Sequence, residues 1–561
     1  MSYADKPWLK SYFFGPYKLK ESLVPYPKVP VFTALDDAAE KYPGQTAVLF
    51  EERELKYKDL KIQADTLAAA LAGFGVKKGD RVQIFLPNCT EFIISDWAIL
   101  KAGACVVPTS IMRTDKGLLH EARSSKSRVI ICREEHLERV LGIKDKCDIE
   151  HIIVVSSPTM GKGYPSMDLP KGAYEFRKVL EDNEPTPPQV EIDPVEDLAE
   201  LAFTGGATGV PKGVMITHFN RYTNFMQSIP WMLKPMYRGF IGKSSFFITT
   251  PLFHAYGHFI QQMAAYMALR IILMPDPRDN EGIVQIMRKY RPFLVPTVPT
   301  QLMRMAKGKV GRMNIMPMSC AAPLPEEISE AIKKEIGNPV SEAYGLTETG
   351  PLTHMNLSAF SKITGFMKQE KRGLGVPVPD TECKLVDPET GKEVPVGEVG
   401  EIVSRGPQVM KGYWPEPGSG LKDGWLHTGD LAHMDEDGYF YISDRVKDMI
   451  NVSGFKVYST SVDEVLFKHP GVLMAMGLGV PDPNIPGSER VMAVVRLRDD
   501  YKGKVTAEDI INTCKEHLPP YAVPKYVEFK DDLPLTVSEK LFKKEVRDEL
   551  VEKMKARGEL K

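Results

Sequence analysis

Helix-period and strand-like hydrophobic segments alternate through the first half of the chain, and few architectures accommodate that pattern. YKDLKIQADTLAAALAGF places Leu60, Ala64, Leu67, Leu71 and Phe74 three or four residues apart, which makes one side of a helix apolar. Gly75 and the KKGD turn end it, and RVQIFL follows as a short apolar strand. EFIISDWAILKAG is again helical in pattern, and ACVVPTS again reads as a buried strand. The alternation returns at RVIICR, HIIVVSS, SFFITT, RIILMP and PFLVPT. Strands that are apolar along their whole length must be covered on both faces, and intervening helices supply the cover. The expectation is an α/β protein whose large N-terminal domain is built from βαβ-type subdomains around a parallel or mixed sheet.

The texture then changes. The acidic, Pro-rich stretch EDNEPTPPQVEIDPVE reads as a surface connection before a strand. From residue 372, short strands (ECKLVD, GEVGEIVSRG, YFYISDR) are divided by the turn sequences DPETGKE, GPQ and DEDGY. This divides the N-terminal domain into a core over 1–371 and a small β-rich subdomain over 372–446. Beyond it, strands VMAVVRL and YVEFK and helices SVDEVLFKHP and AEDIINTCKEHL suffice for a compact C-terminal α+β domain over 447–561. The tail after Lys540 reads as a solvated helix of mixed charge.

Composition removes several function classes. Lys and Arg total 72 against 74 Asp and Glu, a net charge of −2, so nothing global favours nucleic acid as a partner. Seven cysteines are scattered without a CxxC pair, which argues against a disulfide scaffold and a zinc site. The first residues contain no secretory h-region, and no run of 18 apolar residues occurs. The expectation is a cytoplasmic protein with no integral membrane segment. Peripheral membrane contact and a homodimer are both compatible with the sequence.

The richest local signal is LAFTGGATGVPKGVMITHFN, residues 201–220. Its glycines let backbone N–H groups converge on an anion, its threonines add donors, and Lys212 adds charge. It is not a Walker A loop, because Pro211 stands where that motif, counted from Gly206, requires glycine. Four further segments follow: EAYGLTETG (342–350), GWLHTGD (424–430), DRVKDMINVSGFKV (444–457) and LPLTVSEK (533–540).

With the loop, these five segments resemble, in type and order, the motifs of the adenylate-forming superfamily, which includes acyl-CoA synthetases, adenylation domains of peptide synthetases and luciferases. The resemblance covers about residues 30–550. It implies a two-step reaction, because a carboxylate is a poor electrophile. Attack on the α-phosphorus of ATP makes an acyl-adenylate, and thiol attack then releases AMP. Such a site must neutralise crowded negative charge with positioned donors, cations and Mg²⁺.

Residue roles carry over from the resemblance. Thr204, Gly205, Gly206, Ala207, Thr208, Gly209 and Lys212 would hold the β- and γ-phosphates. Thr204 and Glu348 would sit nearest the Mg²⁺. Tyr344 would stack on adenine with Gly345 and Thr347 beside it, and the stretch containing Cys320, Ala321 and Ala322 would line the base and acyl sites. Asp430 would accept both ribose hydroxyls, with Arg445 nearby. Lys540 would reach the α-phosphate and the substrate carboxylate. Lys447 matches the hinge about which the C-terminal domain turns between half-reactions. Ser453, Gly454 and Lys456 would then meet coenzyme A. The chain departs from the family pattern at Ala207, where a hydroxyl is common, at Glu539, usually glycine, and at Ser459 and Ser461, often Pro and Glu.

PLFHAYGHF (251–259) resembles the family's acyl-pocket motif. It offers His254, at the junction of nucleotide and acid, together with Tyr256, His258 and Phe259; Trp231 and Cys320 complete the expected pocket. His254 and His258 lack the glutamate of HExxH, which sets a metal reading aside. The Met-rich segment that follows suits an adaptable apolar cavity. Overall the chain is most similar to medium- and long-chain fatty acyl-CoA synthetases, with a small-molecule carboxylic acid, ATP and CoA as substrates. An aryl-acid ligase or a stand-alone adenylation enzyme loading a carrier protein is the alternative, and a non-catalytic acyl- or nucleotide-binding protein of the same fold the remote one.

Overall fold

The computed structural model describes residues 2–156, 168–204, 211–276, 279–308, 310–358, 371–536 and 541–560. Two nine-stranded sheets dominate it. In the first, Arg81–Phe85, Cys105–Pro108, Val129–Arg133 and His151–Val155 run parallel, and Leu198–Thr204 joins them parallel to Cys105–Pro108. In the second, Ser245–Ile248, Arg270–Leu273, Leu294–Thr297, Met316–Ser319 and Ser341–Gly345 run parallel.

Side-chain alternation explains why these strands read as unbroken apolar runs. In Val129–Arg133, Val129 and Ile131 face the core between the sheets, whereas Ile130 and Cys132 face outer helices. In the second sheet, Phe246 and Ile248 face inward, and Phe247 packs outward against a separate apolar cluster. The inner core holds helices Tyr57–Gly73, Thr90–Lys101, His218–Gln227 and Ala255–Tyr266 between the two sheets. The first of these matches the periodicity read from sequence, with Leu60, Ala64, Leu67 and Leu71 buried.

A five-stranded antiparallel sheet follows, in which Trp425–Met434 pairs with both Gly400–Arg405 and Phe440–Arg445. A three-stranded sheet of Val472–Pro481, Glu489–Leu497 and Tyr526–Phe529 forms the C-terminal part. Helix Ser459–Phe467 packs against its first strand, and helix Lys543–Ala556 adds Val546, Leu550 and Met554 to its other face.

Candidate active site

The strand Leu198–Thr204 turns back as Lys212–Thr217, with Thr204 and Lys212 opposite one another in the ladder. The glycine-rich turn between them, including Gly205, Gly206, Ala207, Thr208 and Gly209, lies outside the described residues, as does Lys540. What the described residues supply is the frame. Lys212 Nζ stands 5.2 Å over the ring of Tyr413, whose hydroxyl donates to Glu348 Oε1 at 2.9 Å. Burial, with Glu348 beside it, raises the Tyr413 hydroxyl and keeps it a donor. Three residues from separate segments thus place a cation, a phenol and a carboxylate in sequence.

Glu348 sits in the single turn Thr347–Thr349 that follows strand Ser341–Gly345. The turn is fixed from several sides. Thr349 Oγ1 donates to Pro351 O at 2.6 Å, and Met410 N donates to Glu348 O at 2.8 Å. Gly345 is required here, because a Cβ would collide with the carbonyl of Pro351. Ala321 and Ala322 follow the neighbouring parallel strand Met316–Ser319, so they and Glu348 share the carboxyl-terminal edge of one sheet. Ligands of open α/β sheets bind at such an edge.

Beside this edge, Asp430 is buried and accepts from two directions. Tyr344 Oη donates to Oδ2 at 2.8 Å and Arg445 Nε to Oδ1 at 2.9 Å. Register places Asp430 and Arg445 opposite each other on adjacent strands. Burial and then Asp430 raise the Tyr344 hydroxyl, so it stays protonated. His354 packs edge-on to the Tyr344 ring at 5.5 Å, and burial pulls it down to about 3, which leaves it neutral. Each carboxylate oxygen of Asp430 retains acceptor capacity for a further donor.

A small apolar cavity of about 20 Å³ lies beside the PLFHAYGHF helix. Tyr256, Phe259, Ile260 and Met263 line it from helix Ala255–Tyr266, facing Met318, Leu352 and Met355. Four residues expected at the pocket lie off this cavity. His254 caps the helix, its Nδ1 accepting from Tyr256 N at 3.3 Å. Cys320 is buried beside Tyr256, off the cavity wall. Trp231 packs edge-on to Tyr12 at 4.8 Å and donates to Lys20 O at 2.9 Å, so it anchors the N-terminal segment. His258 is turned to the opposite face of its helix, with Nε2 2.7 Å from Asp96 Oδ1 and Nδ1 3.1 Å from Glu200 Oε1. Helical spacing is the reason: residues 256, 259, 260 and 263 share one face, and 258, 261 and 262 the other.

Lys447 is exposed between strands Phe440–Arg445 and Ile450–Val452. Polar contacts bridge it. Asp444, just before, accepts from the backbone N–H of Ser459 and from its Oγ at 3.0 Å; Lys543 Nζ donates to Ser459 Oγ at 2.8 Å and to Asp463 Oδ2 at 2.7 Å. Burial pushes Asp444 up to about 6. Ser453 and Gly454 form the tip of the hairpin Ile450–Val457, where Gly454 has φ +91° and open space around it. Lys456 lies 3.5 Å from Glu389 at the surface. The hairpin and the Tyr344–Asp430 cluster share no described contact.

Tyr413 is the residue that sequence reasoning missed. KGYW carries no motif by itself, and the available signal was a short Gly-aromatic turn.

A strand that leads into a Gly/Thr-rich segment, with anchored carboxylates from later segments, is consistent with the family whose models the chain matches. The chain belongs to the AMP-binding enzyme family: residues 35–414 match its main model, and residues 461–540 match the AMP-binding enzyme C-terminal domain. Among curated relatives it is 33% identical to a long-chain-fatty-acid–CoA ligase of Bacillus subtilis (strain 168), over 98% of this chain and 99% of that one. Among solved structures it is similar to an anthranilate CoA ligase in complex with anthranoyl-AMP, with TM-score 0.81, 23% identity and coverage of 93% and 98%. ATP-bound MatB from Rhodopseudomonas palustris gives 0.80, 25%, 94% and 99%. No helix among the described residues is long and apolar enough to cross a membrane.

Proposed function

We propose that the protein is an AMP-forming fatty acid–CoA ligase. The observation that carries the reading is the convergence of Tyr344 and Arg445 on buried Asp430, with the Lys212–Tyr413–Glu348 set reaching the turn that follows the Tyr344 strand. The full-length similarity to fatty-acid–CoA ligases supports the acid class, and the wholly apolar side chains of Phe259, Ile260, Met263 and Leu352 at the cavity agree with it.

In the first step an oxygen of the acid attacks the α-phosphorus, the bond to the bridging oxygen breaks, and pyrophosphate leaves. Asp430 orients the nucleotide through its ribose. Lys212 and the donors of the glycine-rich turn offset charge on the β- and γ-phosphates. Glu348 and Thr204 suit Mg²⁺, which takes hard oxygen ligands and is commonly held by one or two carboxylates plus substrate phosphates. The ion would supply further charge compensation there. Lys540 serves adenylation as a cation on a long side chain, supplied by the C-terminal domain. In the second step the thiol of CoA attacks the acyl carbonyl and AMP leaves, with Ser453, Gly454 and Lys456 brought to the site by rotation about Lys447. Domain limits of 1–371, 372–446 and 447–561 follow from this division of labour.

Acid-dependent exchange of pyrophosphate into ATP, followed by product analysis with CoA, tests the reading. Saturated acids from C2 to C18, benzoate and succinate form the panel. Buried methylenes should each add about 0.8 kcal/mol, near fourfold in kcat/KM, until the pocket is full. Preference for acetate or succinate over octanoate refutes the fatty-acid assignment.

A further inference from the structure

Two residues on one face of helix His218–Gln227 grip the segment that joins the Glu348 turn to the apolar cavity. Arg221 Nη1 donates to Gly350 O at 3.0 Å. Asn224, one turn further, holds both polar groups of Leu352: its Nδ2 donates to Leu352 O at 2.9 Å, and Leu352 N donates to its Oδ1 at 3.0 Å. Gly350 is two residues past Glu348, and Leu352 is itself on the cavity wall. The helix is held in turn by a capping box between Thr217 and Asn220.

Arg221 is 1% exposed, and an isolated guanidinium so buried would be strongly unfavourable. Its counterion is Glu200, which contacts Nη2 and lies four residues before Thr204 on the strand that enters the glycine-rich turn. The other oxygen of Glu200 faces His258 Nδ1 at 3.1 Å, and His258 Nε2 lies 2.7 Å from Asp96 Oδ1. Asp96 also accepts from Gln261 at 2.5 Å and Gln262 at 2.8 Å. Arg221 and His258 thus meet the carboxylates of Glu200 and Asp96 in a closed interior. Replacing such a set by apolar side chains is frequently neutral for stability or better, so folding alone gives no reason for it.

We infer that Arg221 and Asn224 are positioning residues: Arg221 ties the strand that leads into the glycine-rich segment to the Glu348 turn, and Asn224, on the same helix, ties that helix to the cavity wall at Leu352. The inference rests on the ligase reading for its catalytic consequence. It makes the geometry of Glu348 relative to Thr204 depend on a rigid cross-strut instead of on the intervening loops.

The test is the charge-neutral double variant Glu200→Leu/Arg221→Met, with single Arg221→Met beside it. Two readouts are taken on the full chain: hydrogen–deuterium exchange of residues 346–355, and the kinetics of acid-dependent pyrophosphate exchange. The single variant leaves Glu200 buried without its partner, so it should lower Tm. The double variant should regain Tm yet lose amide protection at 346–355 and show at least a tenfold lower kcat, with KM for the acid changed less than threefold. Asn224→Asp, which keeps one of the two grips on Leu352, should fall between. Unchanged protection in the double variant overturns the inference, whatever acid the enzyme uses. So does a kcat that recovers together with Tm, which would make the set purely structural. If the wild-type protein exchanges pyrophosphate with no acid on the panel, the ligase reading fails, and the protection data still decide whether the strut exists.

Discussion

Replacing Asp430 by asparagine tests the nucleotide half of the site at its most constrained point. The two side chains have one shape, but the amide has one acceptor where the carboxylate has two. Arg445 Nε, a donor only, lies 2.9 Å from Oδ1, so the amide oxygen must face it. The amide nitrogen then takes the place of Oδ2 and faces the Tyr344 hydroxyl, now 2.8 Å away, which can reverse and accept. The pocket is therefore repacked without a clash, and what disappears is the charged acceptor for a ribose hydroxyl. A hydrogen bond to a charged group contributes about 1.5–3 kcal/mol. At 1.4 kcal/mol per decade, the KM for ATP should rise roughly 10- to 100-fold. The assay is pyrophosphate exchange with ATP, 2′-deoxy-ATP and 3′-deoxy-ATP. The wild-type enzyme should discriminate against a deoxy analogue by about tenfold or more, and Asp430→Asn by less than about threefold. If the variant discriminates as well as the wild type, Asp430 does not read the ribose and the assignment is wrong.

Three further outcomes are expected. Tyr413→Phe removes one neutral donor to Glu348 and should slow adenylation about fivefold, near 1 kcal/mol, with thioester formation from supplied acyl-AMP unchanged; equal loss in both steps would contradict it. Asp444 is held near 6 against an ordinary 3.8, so the native state binds the extra proton between those values and stability falls as pH rises from about 4 to 6. The fall attributable to this group is about 3 kcal/mol, and chemical denaturation of Asp444→Asn across that window should lack it; parallel pH profiles for variant and wild type would refute the assignment. Lys540→Ala should lower adenylation by roughly two to three decades while sparing thioester formation, and Gly454→Trp should do the reverse; a uniform loss in either variant would remove its proposed role.

The sheets were legible because burial on both faces leaves a local trace, the short all-apolar run between turn residues. RVIICR and SFFITT are strands for that reason. The candidate nucleotide residues could be named because the motif segments are contiguous, and the fold brings Tyr344, Asp430 and Arg445 within hydrogen-bonding distance. The set of Asp96, Glu200, Arg221 and His258 had no such trace. Its members come from four separate elements, and each is unremarkable beside its sequence neighbours. His258 was read as a pocket residue because it shares a segment with Tyr256 and Phe259. Applying helical periodicity to that segment would have put it on the opposite face. Trp231 shows the same limit, since a buried aromatic in an apolar run carries no sign of which surface it covers.

The cavity beside Met263 bears on how the enzyme would reject short acids. Space of about 20 Å³ holds little more than one water molecule, so an alkyl tail entering there would displace protein and almost no solvent. Room must come from Met263, Met318 and Met355, whose unbranched side chains can change rotamer more readily than leucine or phenylalanine. Parting these contacts forfeits cohesion that closes the wall in the absence of acid. A two-carbon acid has too little surface to offset that loss. Selectivity would then rest on that offset: each methylene that stays buried works against the cost of holding the wall open, and acetate has too few to meet it.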